Sequence, residues 1–247
     1  MQTISPTINI MIKACEKASR ILKRDFGEIE NLQVSVKGPN DFVTSADKKC
    51  EKIIIKELLK SKKDFSLISE ESGLYKNKDK NNVWILDPID GTSNFMHSIP
   101  HFAISLALKS KNEIVAGVIY DPIKDEIFYG EKNSGAYLNN HRIRVSKRKN
   151  LNQCLFASGN KNLDKYQELN IRKSGSAALD IAYVACGRYE GYFQNNLSIW
   201  DIAAGLIILK EAGGITNEIN INNQNDLKII ASNPYINESL LNILSKF

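Results

Sequence analysis

Acidic side chains stand at the ends of apolar runs in this sequence, and that placement could do chemistry. "WILDPIDGTSNF" (84–95) drives an apolar strand into Asp87 and then, three residues later, into Asp90, Gly91 and Thr92. "ISEESG" (68–73) ends a second apolar run in Glu70 and Glu71, and "SIWDIAAG" (198–205) sets Asp201 at the head of an apolar helix. "DFVTSAD" (41–47) places Asp41 and Asp47 around a helix start. Pro88 fixes its own φ and biases Asp87 toward extended backbone, so that carboxylate is held in place. Gly91 permits close backbone approach, and a short helix opening at Thr92 would point its first N–H groups at an anion.

Each feature alone has an ordinary explanation. Asp-Pro-x-Asp-Gly is a common tight turn, Glu70–Glu71 a solvated acidic pair, and Asp41 or Asp47 a helix cap. An acid such as Asp201 in a first helical turn is favoured by the helix dipole. Together they give carboxylates at several element ends without a histidine or cysteine cluster. Hard oxygen donors of this kind suit Mg²⁺ or Mn²⁺ rather than zinc, and without a cation they would repel one another. A hard cation beside an anion-binding helix start points to a phosphate ester as substrate.

The elements that must position these groups are legible from periodicity. Ser5-Pro6 reads as a helix start, with Ile10, Met11, Ala14, Cys15, Ala18, Ile21 and Leu22 on one face and Gly27 beyond the end. A second helix is predicted from Thr44-Ser45, with Ala46, Cys50, Ile53, Ile54 and Leu58 as its stripe. Apolar runs at 65–69, 83–86, 102–110, 113–121 and 126–131 follow, the later ones joined by tight polar turns as in an antiparallel meander. Beyond residue 150 strands and helices alternate. The predicted strands are 154–158, 189–193 and 227–232, and the helices 176–187, 199–214 and 236–246. This reads as one α/β unit with two lobes meeting near residue 150.

Composition narrows the classes. The 247 residues carry 33 Lys+Arg against 28 Asp+Glu, a mild excess of +5. Its densest runs, "KNKDK" (76–80) and "RIRVSKRK" (142–149), lack interleaved aromatics, which argues for solvated surface rather than a nucleic-acid patch. No apolar run is long enough for a membrane span, and the N-terminal stretch has helical spacing rather than a signal-peptide core. Cys15, Cys50, Cys154 and Cys186 are widely spaced, as for reduced thiols in a cytoplasmic protein. His97 and His101 in "HSIPH" are separated by Pro100, which disfavours a zinc-binding helical pair.

"DFVTSADKKCE", "ISEESG", "WILDPIDGTSNF" and "WDIAAGLIILKEAGG" resemble the signature blocks of the inositol monophosphatase family, and the segments 117–146 and 175–193 are similar too. The resemblance runs from about residue 10 to the C-terminus, and DPIDGTxNF followed by a distant WDxAAG is highly specific. It implies a layered αβαβα sandwich, a single domain over 1–247, and a homodimeric Mg²⁺-dependent phosphomonoesterase using two or three ions. The lobe 1–150 would carry the metal and phosphate site, and 151–247 the alcohol-side wall with Asp201. The resemblance further implies that Glu70, Asp87 and the carbonyl of Ile89 hold one ion, and Asp87, Asp90 and Asp201 a second. A weaker third ion would touch Glu70. Thr92 and Glu70 would orient the attacking water, with Asp47 hydrogen-bonded to Thr92, and the N–H groups of Gly91 and Thr92 would bind phosphate.

On the alcohol side, Gly175, Ser176 and Ala177 match the family's wall. Gln194, in "YFQNNLSIWD", stands where inositol-cleaving members have a sugar-contacting glutamate. The substrate expected is therefore inositol 1-phosphate or a similar polyol phosphate, with histidinol phosphate and fructose 1,6-bisphosphate as alternatives. Some bacterial relatives act on transcription or ribosome machinery, so a regulatory binding protein is the competing class. Lys37, ten residues before Asp47, reads as a surface lysine that could also line the mouth.

Overall fold

The computed structural model describes residues 4–29, 34–38 and 41–245, with side chains described for 4–29 and 45–245; Lys37 and Asp41 are thus outside the described side chains. Among the described residues no helix is long and apolar enough to cross a membrane.

Helix α1 (Pro6–Gly27) begins as its sequence requires: Ser5 Oγ accepts the N–H of Ile8 at 3.1 Å, with proline following. A two-stranded ribbon, β1 (Val34–Gly38) and β2 (Asp41–Thr44), leads into α2 (Ser45–Ser61). Strands β3 (Phe65–Ser69), β4 (Gly73–Tyr75) and β5 (Asp79–Asp90) come next, then the short helix α3 (Thr92–Met96). The meander follows as β6 (Ala103–Ser110), β7 (Glu113–Asp121), β8 (Glu126–Glu131), β9 (Gly135–Leu138) and β10 (His141–Arg142). All lie in one eight-stranded sheet of order β10-β9-β8-β7-β6-β5-β3-β4, in which β3 runs parallel to β5 and the other pairs are antiparallel.

The remaining chain forms β11 (Phe156–Ala157), β12 (Ile171–Arg172), α4 (Ala177–Ala185), β13 (Gly191–Leu197), α5 (Ile199–Glu211), β14 (Ile215–Thr216), β15 (Leu227–Ser232) and α6 (Asn237–Leu244). Its strands build a second sheet of order β12-β11-β13-β15-β14. The strand expected at 154–158 shrinks to two residues because the buried Glu190 carboxylate takes the Leu155 N–H at 2.7 Å, away from any ladder.

The alternation of side chains along β5 shows the layering. Trp84 and Leu86 face a core built with α1 and α2, whereas Val83 and Ile85 face a core that contains α4 and α5 and reaches the second sheet. Ile236 and helix α6, through Leu240 and Ile243, cover the other face of that sheet against Phe156, Phe193 and Ile230. The order is therefore helix, sheet, helix, sheet, helix: the expected αβαβα sandwich.

Small residues set how deeply α5 sits. A Cβ on Gly117 of β7 would lie 2.6 Å from the Ala204 carbonyl oxygen, and one on Gly205 would lie 2.7 Å from Ile181 Cγ2 of α4. The Ala203-Ala204-Gly205 run lets α5 wedge between the eight-stranded sheet and α4, which brings its first turn and Asp201 down onto the sheet. Gly117→Ala is expected to destabilise the protein by about 1–3 kcal/mol through overpacking. Thermal unfolding checks this against Gly27→Ala at the end of α1, where nothing lies within 4 Å of the added Cβ and no loss of stability is expected.

Candidate functional site

The site begins at the ends of β3 and β5. These strands run parallel with Ser69 opposite Leu86, and the Glu70 N–H donates to the Leu86 carbonyl at 3.2 Å. Parallel pairing thus carries the Glu70 turn and Asp87 to the same edge. The strand does not stop at Asp87, as its sequence suggests, but continues to Asp90 across a register shift against β6. The Asp87 carboxylate accepts the Ile89 N–H at 2.9 Å, closing a local turn that absorbs the extra residues and leaves both acids facing the site.

Oxygens of Asp87, Asp90 and Asp201 come within 4.8 Å of one another, a spread that a divalent cation can bridge. Asp87 and Asp90 are 2% and 7% exposed, so neither charge is relieved by bulk water. Burial, with Glu70, Asp90, Asp201 and Asp47 as neighbours, pushes the Asp87 carboxyl well above its ordinary range. Asp90 is raised to about 6 by burial, moderated by the donors it accepts from. Those donors are the Ser176 hydroxyl and the N–H groups of Ala177 at 3.3 Å and Ala178 at 2.9 Å, at the start of α4. An all-carboxylate cluster with raised proton affinity has the chemistry of a hard-cation site, and the residues present fit Mg²⁺ or Mn²⁺.

Asp201 arrives from the opposite layer. Its carboxylate accepts the Ser198 N–H at 2.7 Å at the start of α5. Ser105, opposite Asp87 in the β5–β6 ladder, donates its hydroxyl to the Trp200 carbonyl at 3.0 Å and locks the helix start to the sheet. Asp47 is buried in the first turn of α2.

Gly91, whose φ of +95° favours glycine, immediately precedes α3. A Cβ there would meet the His101 and Gly175 carbonyl oxygens at 3.1 and 3.3 Å. Thr92 Oγ1 donates to the Ile89 carbonyl at 2.8 Å. Asn94 joins the two walls, its amide donating to the carbonyls of His101 at 2.7 Å and Ser174 at 2.9 Å. His97 is exposed with Nδ1 2.8 Å from the Ser93 carbonyl, and His101 borders the mouth through its backbone.

Gly175 has φ +87°, and Ser176 and Ala177 after it anchor Asp90. Gln194 accepts the hydroxyl of Tyr192 at 2.7 Å, and Tyr192 is itself held above its ordinary pKa by burial and by Asp180, Asp90 and Asp201. This side of β13 consequently faces the acids. A Cβ on Gly159 would fall 2.0 Å from Gln194 Oε1, so the glycine makes room for that side chain.

Several contributors escaped the sequence reading. Asp180 is buried in the first turn of α4, accepts the Ser174 hydroxyl at 2.7 Å and is raised to about 8, first by burial and also by the charge of Asp90. Its signal was an acid inside an otherwise apolar helix. Glu51, Ser69 and Asn94 stand inside the quoted sequence blocks without a sign of their partners, and Ser105 and Ser174 lie outside them; all five act through contacts with other segments. Cys15, Cys50 and Cys154 are buried, whereas Cys186 is partly exposed.

The chain is similar over nearly its whole length to known proteins. Residues 3–246 match the model of the inositol monophosphatase family. The chain is 42% identical to an inositol-1-monophosphatase of Mesorhizobium japonicum, over 98% of this chain and 97% of that one. It is 37% identical to the Nus factor SuhB of Escherichia coli K12, over 96% and 94% of the two chains. The crystal structure of the extragenic suppressor protein suhB from Bartonella henselae superposes with a TM-score of 0.91 at 46% identity, covering 98% and 99% of the two chains.

Asp180 supplies a pH test. With its folded pKa raised to about 8 above an ordinary 3.8, the folded state keeps a proton that the unfolded state gives up. The resulting stability is complete below pH ~4 and is lost as the pH rises through ~8. Denaturant unfolding of ion-free protein across this range should show a smaller decline for Asp180→Asn than for the unmodified chain. Equal declines would contradict a buried neutral carboxyl.

Proposed function

The chain belongs to the inositol monophosphatase family and is a phosphoric monoester hydrolase, and from that premise we propose that it hydrolyses inositol 1-phosphate or a similar polyol phosphate with Mg²⁺. The observation that carries this reading is the meeting of Asp87, Asp90 and Asp201 oxygens within 4.8 Å beside the glycine-led start of α3.

Glu70, Asp87 and the Ile89 carbonyl would hold one cation and Asp87, Asp90 and Asp201 a second, with a weaker third at Glu70. When bound, such cations neutralise charge on the phosphate and leaving oxygens and lower the pKa of water. The chain's own groups do the positioning. Gly91 and Thr92 N–H groups, at a helix start where the first amides lack intrahelical acceptors, take the phosphate oxygens. Glu70 and the Thr92 hydroxyl orient the attacking water in line with the leaving group, and Asp47 would accept that hydroxyl in place of the Ile89 carbonyl, its acceptor here. Asp90 carries a double duty, as ion ligand and as the anchor of α4, so the alcohol-side wall and the ion site are one assembly. Phosphoryl transfer needs chiefly this alignment and charge neutralisation, with no covalent enzyme intermediate.

Gln194 presents an uncharged amide to the alcohol side, tied to Tyr192. It can still hydrogen-bond sugar hydroxyls, but without the attraction of a carboxylate. Histidinol phosphate and fructose 1,6-bisphosphate therefore remain in the substrate class. We further propose a homodimer working in the cytoplasm, as one domain of two lobes whose helices α4 and α5 share a core with both sheets. The relative called a Nus factor motivates a competing reading, a regulatory partner of transcription machinery, which would have no need of turnover.

Phosphate release from inositol 1-phosphate, histidinol phosphate, fructose 1,6-bisphosphate and 3′-phosphoadenosine 5′-phosphate ranks these. Mg²⁺-dependent release is expected to be fastest on inositol 1-phosphate and to vanish with a chelator. Asp90→Asn should lower it at least about a hundredfold, because the cation it helps hold supplies several kcal/mol of charge stabilisation. Absence of Mg²⁺-dependent turnover on every ester would favour the regulatory reading. Gln194→Glu should raise selectivity for inositol 1-phosphate over the bisphosphates.

A further inference from the structure

We infer that Glu51 is a positioning residue that sets Glu70 for ion binding by clamping the turn on which Glu70 stands. The inference rests on the reading of Glu70 as an ion ligand.

Glu51 lies one turn beyond Asp47 on α2, and the residue is 7% exposed. A single oxygen, Oε1, accepts from the Ser69 hydroxyl, from the Ser72 N–H at 3.1 Å and from the Ser72 hydroxyl at 3.1 Å. Ser69 and Ser72 bracket Glu70 and Glu71, so one carboxylate oxygen ties together both ends of a two-residue turn. On its other side the turn is pinned by the Glu70 N–H on the Leu86 carbonyl at 3.2 Å, immediately before Asp87. The Glu70 backbone is thus held from two directions, by the helix through Glu51 and by the strand through Leu86.

Electrostatics would not choose this arrangement for stability alone. An apolar side chain at position 51 would fill the space between α2 and β3 without desolvating a charge. Placing a carboxylate there, in a molecule that already buries Asp47, Asp87 and Asp90, adds another like charge to the same region. What the carboxylate provides instead is a rigid turn. Three donors converging on one acceptor define position more narrowly than a single bond does. Residues that orient an ion's ligands typically change affinity or activity by about 10–100-fold when removed. Helix α2 therefore serves the site twice: Asp47 faces the acids and Glu51 holds the turn that brings Glu70 to them.

The test compares the unmodified protein with Glu51→Ala and Glu51→Gln, using Mn²⁺ alone as calorimetric titrant and amide hydrogen exchange on the ion-free proteins. Glu51→Ala should weaken Mn²⁺ binding by about 10–100-fold. It should also speed exchange at Ser72 and Gly73 by at least about tenfold, while amides in the middle of α2 keep their protection. Glu51→Gln retains one carbonyl oxygen in the place of Oε1 and should stay within about threefold of the unmodified affinity. A clamp that served stability alone would lower the melting temperature and leave Mn²⁺ affinity unchanged, and that result overturns the inference. So does unchanged exchange at Ser72 and Gly73 in folded Glu51→Ala. Should the unmodified protein bind no Mn²⁺, the ion-dependent reading of the site fails and the positioning role with it, while the exchange data still report whether the clamp exists. If Glu51→Ala does not fold, the double variant Ser69→Ala/Ser72→Ala removes two of the three donors and is held to the same two readouts.

Discussion

The burial of Asp87 among like charges is the constraint around which the rest of this molecule is arranged. The residue is 2% exposed and has as neighbours Asp90 from its own strand and Glu70, Asp201 and Asp47, brought in by three other segments of the chain. Desolvating one carboxylate costs several kcal/mol, and gathering others around it adds repulsion. The fold meets that cost with fixed donors and small residues. The first turn of α4 delivers two N–H groups and a hydroxyl to Asp90, the N-terminal turn of α5 delivers one N–H to Asp201, and Glu51 immobilises the Glu70 turn.

The two aspartates of the Asp-Pro-x-Asp segment are treated differently, and the difference follows from their partners. Asp90 accepts from three donors at the head of a helix, which holds its rise to about 6. Asp87 accepts the Ile89 N–H across a local turn and stands nearest the other charges, so its proton affinity rises much further. Asp90 is therefore a structural anchor as well as a charge, whereas Asp87 is the group whose ionised form most needs a cation beside it. Asp90 ties the segment Ser176–Ala178, from the second half of the chain, directly to the acids of the first half.

Much of this was legible in the sequence because the relevant signals are local. Apolar runs joined by tight polar turns marked the meander that holds β7 and β8, the Ser-Pro start and apolar stripe marked α1, and the long apolar stretch from residue 199 marked α5. The acids of the site were visible because each ends an apolar run. The parts that were not legible depend on register and on long-range hydrogen bonds. Asp87 and Asp90 share one strand because of a bulge that the Asp87 side chain itself closes, and nothing in a turn-like Asp-Pro-x-Asp announces a strand that continues. Glu51 closes the block "DFVTSADKKCE", yet nothing local gives it a role, since its partners lie 18 and 21 residues away. Asn94 and Ser174, 80 residues apart, likewise became meaningful only once two loops met.

The most direct measurement is the count of protons released when Mg²⁺ binds, obtained by calorimetric titration near pH 6 in two buffers of different ionisation enthalpy. Carboxyls that hold protons because they are buried together must surrender them to a cation. Net release of protons on saturable Mg²⁺ binding is the expected result. Saturable binding without proton release, or no binding at all, would contradict a centre organised around crowded, buried carboxylates.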